Sequence, residues 1–136
     1  MSQMNQEALQ QLIQREFPQS EVVVEKVVPC GATVRMPIGE QHLRPGGTVS
    51  GPTMMALADT AMYVAILGEI GPMLLAVTTN LNINFMHKPV ANCDLLGECR
   101  LLKLGKRLAV GEVSIYSEGY PEIVAHVTST YSIPPR

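Results

Sequence analysis

The chain has 136 residues, 46% of them hydrophobic, and 10 Lys and Arg stand against 12 Asp and Glu for a net charge of -2 at pH 7. That length fits one domain with a modest core, so 1–136 reads as a single domain. The charge balance gives no electrostatic reason to bind nucleic acid or an anionic membrane, and neither is expected as a partner.

The first 18 residues place Leu9, Leu12, Ile13 and Phe17 at helical spacing until Pro18 stops the pattern. They predict an amphipathic helix over 1–18 that docks on the domain, and they lack the basic segment and apolar run of a secretory signal. "EVVVEKVV" and "ATVRMPI" are β-branched runs around "PCG", which predicts two strands joined by a turn. A loop rich in Pro and Gly, residues 37–51, then leads to a long helix. Ser50 can cap it, Pro52 is tolerated in its first turn, and Gly68 with Gly71-Pro72 predicts its end, so the helix is placed at about 52–67. Its apolar run is shorter than the roughly 20 residues of a membrane span and contains Asp59, which predicts a buried core helix.

Four strand candidates follow: "LLAVTTNLNINFMH", "DLLGECRLLKL", "RLAVGEVSIYSE" and "EIVAHVTSTYSI". In the first, Leu81, Ile83 and Phe85 alternate with Asn80, Asn82 and Asn84, so one face packs and the other is polar. The short connections "KPVANC", "LGK" and "EGYP" predict an antiparallel meander of all four. A helix apolar nearly all round must be covered nearly all round. The fold class is therefore α+β, a curved antiparallel sheet wrapped around a long central helix. The side of the helix that the sheet leaves uncovered predicts a second copy of the chain, a homodimer at least.

Cys30, Cys93 and Cys99 follow no zinc-ligand spacing and read as reduced, buried thiols of a cytoplasmic protein. His42, His87 and His126 have no mutual spacing that suggests a metal, and no metal is expected.

Asp59 is the only charge in the long apolar run. A buried carboxylate neutralises, pairs, or borders a water-filled or ligand-filled space. At the start of the same helix, Gly51 can present a backbone N–H with the favourable end of the macrodipole, whereas Pro52 has no N–H. Eight positions separate Gly51 from Asp59, or about 12 Å along one helix, so the two cannot touch one reacting carbon. Two antiparallel copies can bring Gly51 of one beside Asp59 of the other.

Three sections, "GGTVSGPTMMALADTAM", "NINFMHKP" and "LGKRLAVGEVSIYSEG", stand in the order found in the hotdog-fold thioesterases. Over about residues 22–134 the chain resembles the PaaI-like acyl-CoA thioesterases. The resemblance implies a hotdog fold that cleaves the thioester of an acyl-CoA carrying a medium aliphatic or aryl group. No cofactor is implied, since coenzyme A is part of the substrate, and the expected assembly is a homodimer or homotetramer with sites at the subunit interface. Asp59 takes the role of general base or nucleophile, the Gly51 N–H that of oxyanion donor, and Thr78 or its neighbour Thr79 that of holding the water. Substrate contacts are expected from Ser50, Arg44 and Asn80, from an apolar lining of Met54, Met55, Met62 and Phe85, and from cations near the nucleotide, Lys88, Lys106 and Arg107 with Lys103. Two positions depart from the family pattern. Ser50-Gly51-Pro52 replaces His-Gly-Gly, and Arg44 replaces an Asn found in many members. These departures keep a non-catalytic acyl-CoA-binding hotdog protein as the alternative.

Overall fold

A computed structural model describes residues 3–135. Helix α1, Gln6–Glu16, is capped by Asn5, whose side chain accepts from the Ala8 N–H at 2.8 Å. Leu9, Leu12 and Ile13 are buried as their spacing predicts, but Phe17 lies beyond the last turn and is 43% exposed. The edge strand β1, Val23–Val28, is held to α1 by hydrogen bonds from Gln6 Nε2 to the Val24 carbonyl and from the Val24 N–H to Gln10 Oε1, which covers part of that open edge. The turn from β1 into β2, Gly31–Met36, passes through Cys30 at φ 55°.

Helix α2 spans Gly51–Ile70 and exceeds the expected 52–67 at its C-terminal end. Ser50 caps it as predicted, accepting from the Thr53 N–H at 3.3 Å. Gly68 does not stop it. A Cβ there would lie 3.2 Å from Val27 Cγ1, so this glycine lets the helix approach β1, and the turn to positive φ comes at Gly71. At 20 residues α2 is long and apolar enough to cross a membrane, yet Leu57, Ala58 and Ala61 through Gly68 are buried inside the protein. Each fully buried Leu or Ile of that set contributes about 1.5–3 kcal/mol.

The remaining strands are β3 (Val77–Phe85), β4 (Leu95–Leu104), β5 (Leu108–Ser117) and β6 (Ile123–Ser132). All pairings are antiparallel and the sheet order is β1-β2-β4-β5-β6-β3. This corrects the expected four-strand meander, because only β4, β5 and β6 are consecutive neighbours, while β3 pairs with β6 at the far edge. The segment read as a hairpin turn is a crossover. Met86 and His87 donate to the Val124 carbonyl, Val90 donates to Ser117 Oγ, and Glu118 donates to the Asp94 carbonyl, so residues 86–94 cross the ends of β6 and β5 before entering β4.

The sheet meets α2 closely where its inward positions are glycine. A Cβ on Gly97 would stand 3.3 Å from Leu57 Cγ, and one on Gly111 would stand 2.6 Å from Met62 Sδ. Of the three free cysteines only Cys99 is buried. Cys93 is half-buried and Cys30 is exposed, because both stand in connections and not on the inner face of a strand.

Candidate active site

The Asp59 side chain stands two turns into α2, half-exposed, on a pocket of about 360 Å³. One wall comes from Ile13 and Phe17 at the end of α1, another from Thr60 and Tyr63 of α2, and a third from Leu74 and Val77 before and at the start of β3. The carboxylate thus borders an open apolar space and is also hydrogen-bonded, two of the outcomes its position requires.

Both hydrogen bonds converge on one oxygen. Thr78 Oγ1 donates to Asp59 Oδ1 at 2.5 Å, and the Tyr131 hydroxyl donates to the same atom at 2.9 Å and to the Asp59 backbone carbonyl at 3.0 Å. Burial, reinforced by the Asp59 charge, raises the Tyr131 phenol above its usual range, so it stays protonated and acts as a donor. Among the described residues these bonds leave Oδ2 open to a water or a substrate.

The alternatives Thr78 and Thr79 separate cleanly. A bulge between Thr78 and Asn80 makes Thr79 the extra residue of β3, and its hydroxyl reaches only the Thr130 carbonyl at 3.3 Å. Asn80 is exposed beyond the bulge, and its carbonyl accepts from Ser129 Oγ at 2.9 Å.

Gly51 lines a different pocket of about 480 Å³, together with Arg44, Met54, Phe85, His87 and Lys88. The two pockets share no residue, as the helical spacing requires. Gly51 is not a positive-φ turn residue. Its lack of a side chain admits the ring of Phe85, whose Cζ would lie 3.2 Å from a Cβ at this position. As the first residue of α2, it has an N–H without an intrahelical acceptor.

The other predicted residues divide. Met54, Phe85, Lys88 and Arg44 gather around Gly51. Met62 does not line either space: it is 0% exposed, turned onto the sheet against Gly111, with its sulfur 3.6 Å from Cys99 Sγ, so the expected lining role is withdrawn. Met55 is exposed and belongs to neither pocket. The Ser50 hydroxyl is occupied at the helix start, capping Thr53 and lying 2.7 Å from its hydroxyl. Lys106 and Arg107 are exposed in the turn between β4 and β5, where the Arg107 carbonyl accepts from Ile133; this is the end of β6 that carries Tyr131 and pairs with Thr78.

Sequence reasoning missed Tyr131, Tyr63 and His87. A tyrosine on a packed strand needs a partner for its hydroxyl, and Asp59 is the one charge in the apolar run of α2 ahead of Gly68, which is the available signal for Tyr131. Tyr63 offers none: its hydroxyl is buried without a hydrogen-bond partner among the described residues, and burial, with the nearby Glu16 charge, raises its phenol.

Known proteins share this architecture closely. A protein assigned as a thioesterase from a Silicibacter species superposes with a TM-score of 0.92 at 46% identity, over 99% of this chain and 95% of its own. The phenylacetic acid degradation protein PaaI of Thermus thermophilus gives 0.75 at 26% identity, over 88% and 99% of the two chains. The proofreading thioesterase EntH of Klebsiella pneumoniae is 34% identical over 85 residues, 61% of this chain. The match spans only 60% of EntH. A profile of the thioesterase superfamily matches residues 46–124, more than half of the chain and including both Gly51 and Asp59, and the protein belongs to that superfamily with the hotdog fold.

Proposed function

We propose that the protein hydrolyses acyl-CoA thioesters in sites assembled from two copies of the chain. The observation that carries this reading is the Asp59 carboxylate, steadied by two hydroxyls at an apolar pocket, with the free N–H of Gly51 in a separate pocket of the same protomer. Thioesterases among its relatives support the reaction class.

The edge strand β3 supplies the geometry for joining the halves. It runs from Thr78, beside Asp59, to Phe85, beside Gly51, and its outer edge has no partner among the described residues. Leu74, Leu75, Val77, Phe85 and Met86 are all exposed along it and its flanks. An open, apolar edge of this length favours pairing with another strand. Antiparallel pairing with the β3 of a second copy sets the Thr78 end of one chain against the Phe85 end of the other. Asp59 then faces Gly51 of the partner subunit, and a homodimer is the smallest active unit, with a homotetramer built from two of them.

In such a site the apolar pocket beside Asp59 takes a medium aliphatic or aryl acyl group. Arg44, His87 and Lys88 of the Gly51 half attract the anionic coenzyme A portion, with Lys106 and Arg107 of the other half at the same composite site. Asp59 accepts a proton from water as the water oxygen bonds to the thioester carbon. The carbonyl oxygen gathers negative charge against the Gly51 N–H at the helix start. When the tetrahedral species collapses, the C–S bond breaks, and the thiolate takes the proton from Asp59 to leave as coenzyme A, with the acid as second product. Asp59 attacking directly as nucleophile would give the same products by way of an anhydride. The free cysteines suit a reducing, cytoplasmic setting.

A non-catalytic binding protein is the second reading, favoured by Ser50, whose hydroxyl is committed to the helix start. The shared site is tested by mixing two inactive variants, Asp59→Ala and Gly51→Val. A heterodimer keeps one intact composite site, so random mixing restores about a quarter of the wild-type rate. Absence of any rescue, with heterodimers demonstrated, refutes a site divided between subunits.

A further inference from the structure

We infer that Phe17 sets the upper limit on acyl-chain length, closing the end of the acyl pocket that lies away from the thioester. This rests on the thioesterase reading above and identifies a specificity-determining residue for it. The 360 Å³ pocket beside Asp59 is at the small end of the range for ligand sites. Next to it lies a second cavity of about 640 Å³, and the residues common to both are Phe17, Ser20 and Thr60. The larger cavity continues along α2 past Ala56 and Thr53 to Pro52, ending near the buried His42, whose Nε2 lies 3.0 Å from Glu21 Oε1.

Pro52, Thr53, Ala56, Thr60 and Tyr63 follow one another at helical spacing, so the two cavities lie on one face of α2. From Thr60 to Pro52 that face runs about 12 Å, enough for several further methylene groups. Of the three shared residues, Phe17 has by far the largest side chain. Its ring stands edge-on to the buried ring of Tyr63, with centroids 5.5 Å apart and an interplanar angle of 86°. Its backbone is fixed on both sides, the N–H donating to the Ile13 carbonyl and the carbonyl accepting from the Ser20 N–H. The ring, although 43% exposed, is therefore held by Tyr63 at the junction of the two cavities.

The test measures kcat/KM for hexanoyl-, octanoyl-, dodecanoyl- and hexadecanoyl-CoA with wild type, Phe17→Ala, Phe17→Leu and Phe17→Trp, each checked for folding by thermal melting. A methylene gained or lost in an apolar pocket changes discrimination by about tenfold or more. Phe17→Ala should thus raise the dodecanoyl to hexanoyl ratio about tenfold or more, Phe17→Leu should raise it less, and Phe17→Trp should not raise it. Adding Ala56→Phe to Phe17→Ala refills the larger cavity and returns the ratio toward wild type. An active wild type whose profile is unchanged by both Phe17→Ala and Phe17→Leu overturns the inference alone, as does a gain that Ala56→Phe fails to reverse. A folded wild type that releases no thiol from any ester overturns the function on which it rests.

Discussion

Gly51→Ala separates packing from catalysis at the helix start. The added Cβ meets the Phe85 ring at 3.2 Å, a distance relieved by moving that ring a few tenths of an ångström. Phe85 is 52% exposed in the protomer and can give way. Against that small cost, replacing glycine at a position without positive φ stabilises by about 0.4–1 kcal/mol through the unfolded chain. The net change in stability is within about 1 kcal/mol, and Tm stays within about 5 °C of wild type. Catalysis should respond differently, because the methyl group stands on the α-carbon beside the N–H proposed to meet the oxyanion. Losing one such donor costs about 10²–10³ in kcat, and displacing the oxygen from it should cost about tenfold or more. Thiol release and thermal melting on the same samples measure both effects. Wild-type kcat/KM in a fully folded Gly51→Ala protein would refute the oxyanion role and leave Gly51 as a packing residue against Phe85.

The threonine pair gives a sharper contrast. Thr78→Val removes a hydrogen bond to the Asp59 carboxylate, a class of bond contributing about 1.5–3 kcal/mol, so kcat should fall about 10-fold to 100-fold. Thr79→Val, at the bulge, should stay within about twofold of wild type, and equal losses in steady-state assays would contradict the geometry. A disulfide-exchange reagent reports on the cysteines. Burial pushes the Cys99 thiol up to about 12, so it stays protonated at neutral pH and should react only on unfolding, whereas the exposed Cys30 reacts in the native protein. Rapid native labelling of Cys99, located by peptide mass spectrometry, would contradict its place under α2.

The local rules of the chain were readable because they depend on neighbours in sequence. Ser50 caps, Pro52 sits in the first turn, and all six strands fall on the segments read as strands. What escaped depends on distant partners. Gly68 reads as a stop signal, but its lack of a side chain is used against Val27, a contact made only once β1 lies across the helix. The segment 86–94 has the residues of a turn, yet it crosses two strand ends, since hairpin and crossover share the same local chemistry. Met62 looks like pocket lining, but Gly111 receives it on the sheet. Around the candidate site, the placement of Asp59 and Gly51 on one helix and their separation were legible. The pocket wall from α1 and the Tyr131 hydroxyl were not, because no sequence period tells which strand tyrosine meets which helix carboxylate.

The central claim is that Asp59 drives thioester cleavage, and the most direct measurement is thiol release from a panel of acyl-CoA esters by wild type and Asp59→Asn. The amide keeps the shape of the carboxylate but cannot take the proton from water. General-base catalysis contributes about 10²–10⁴, so wild type should release coenzyme A and Asp59→Asn should be slower by about 10² or more while still binding the esters. Equal rates in the two proteins would contradict the role of Asp59. A wild type that binds the esters without releasing thiol would contradict the catalytic reading altogether.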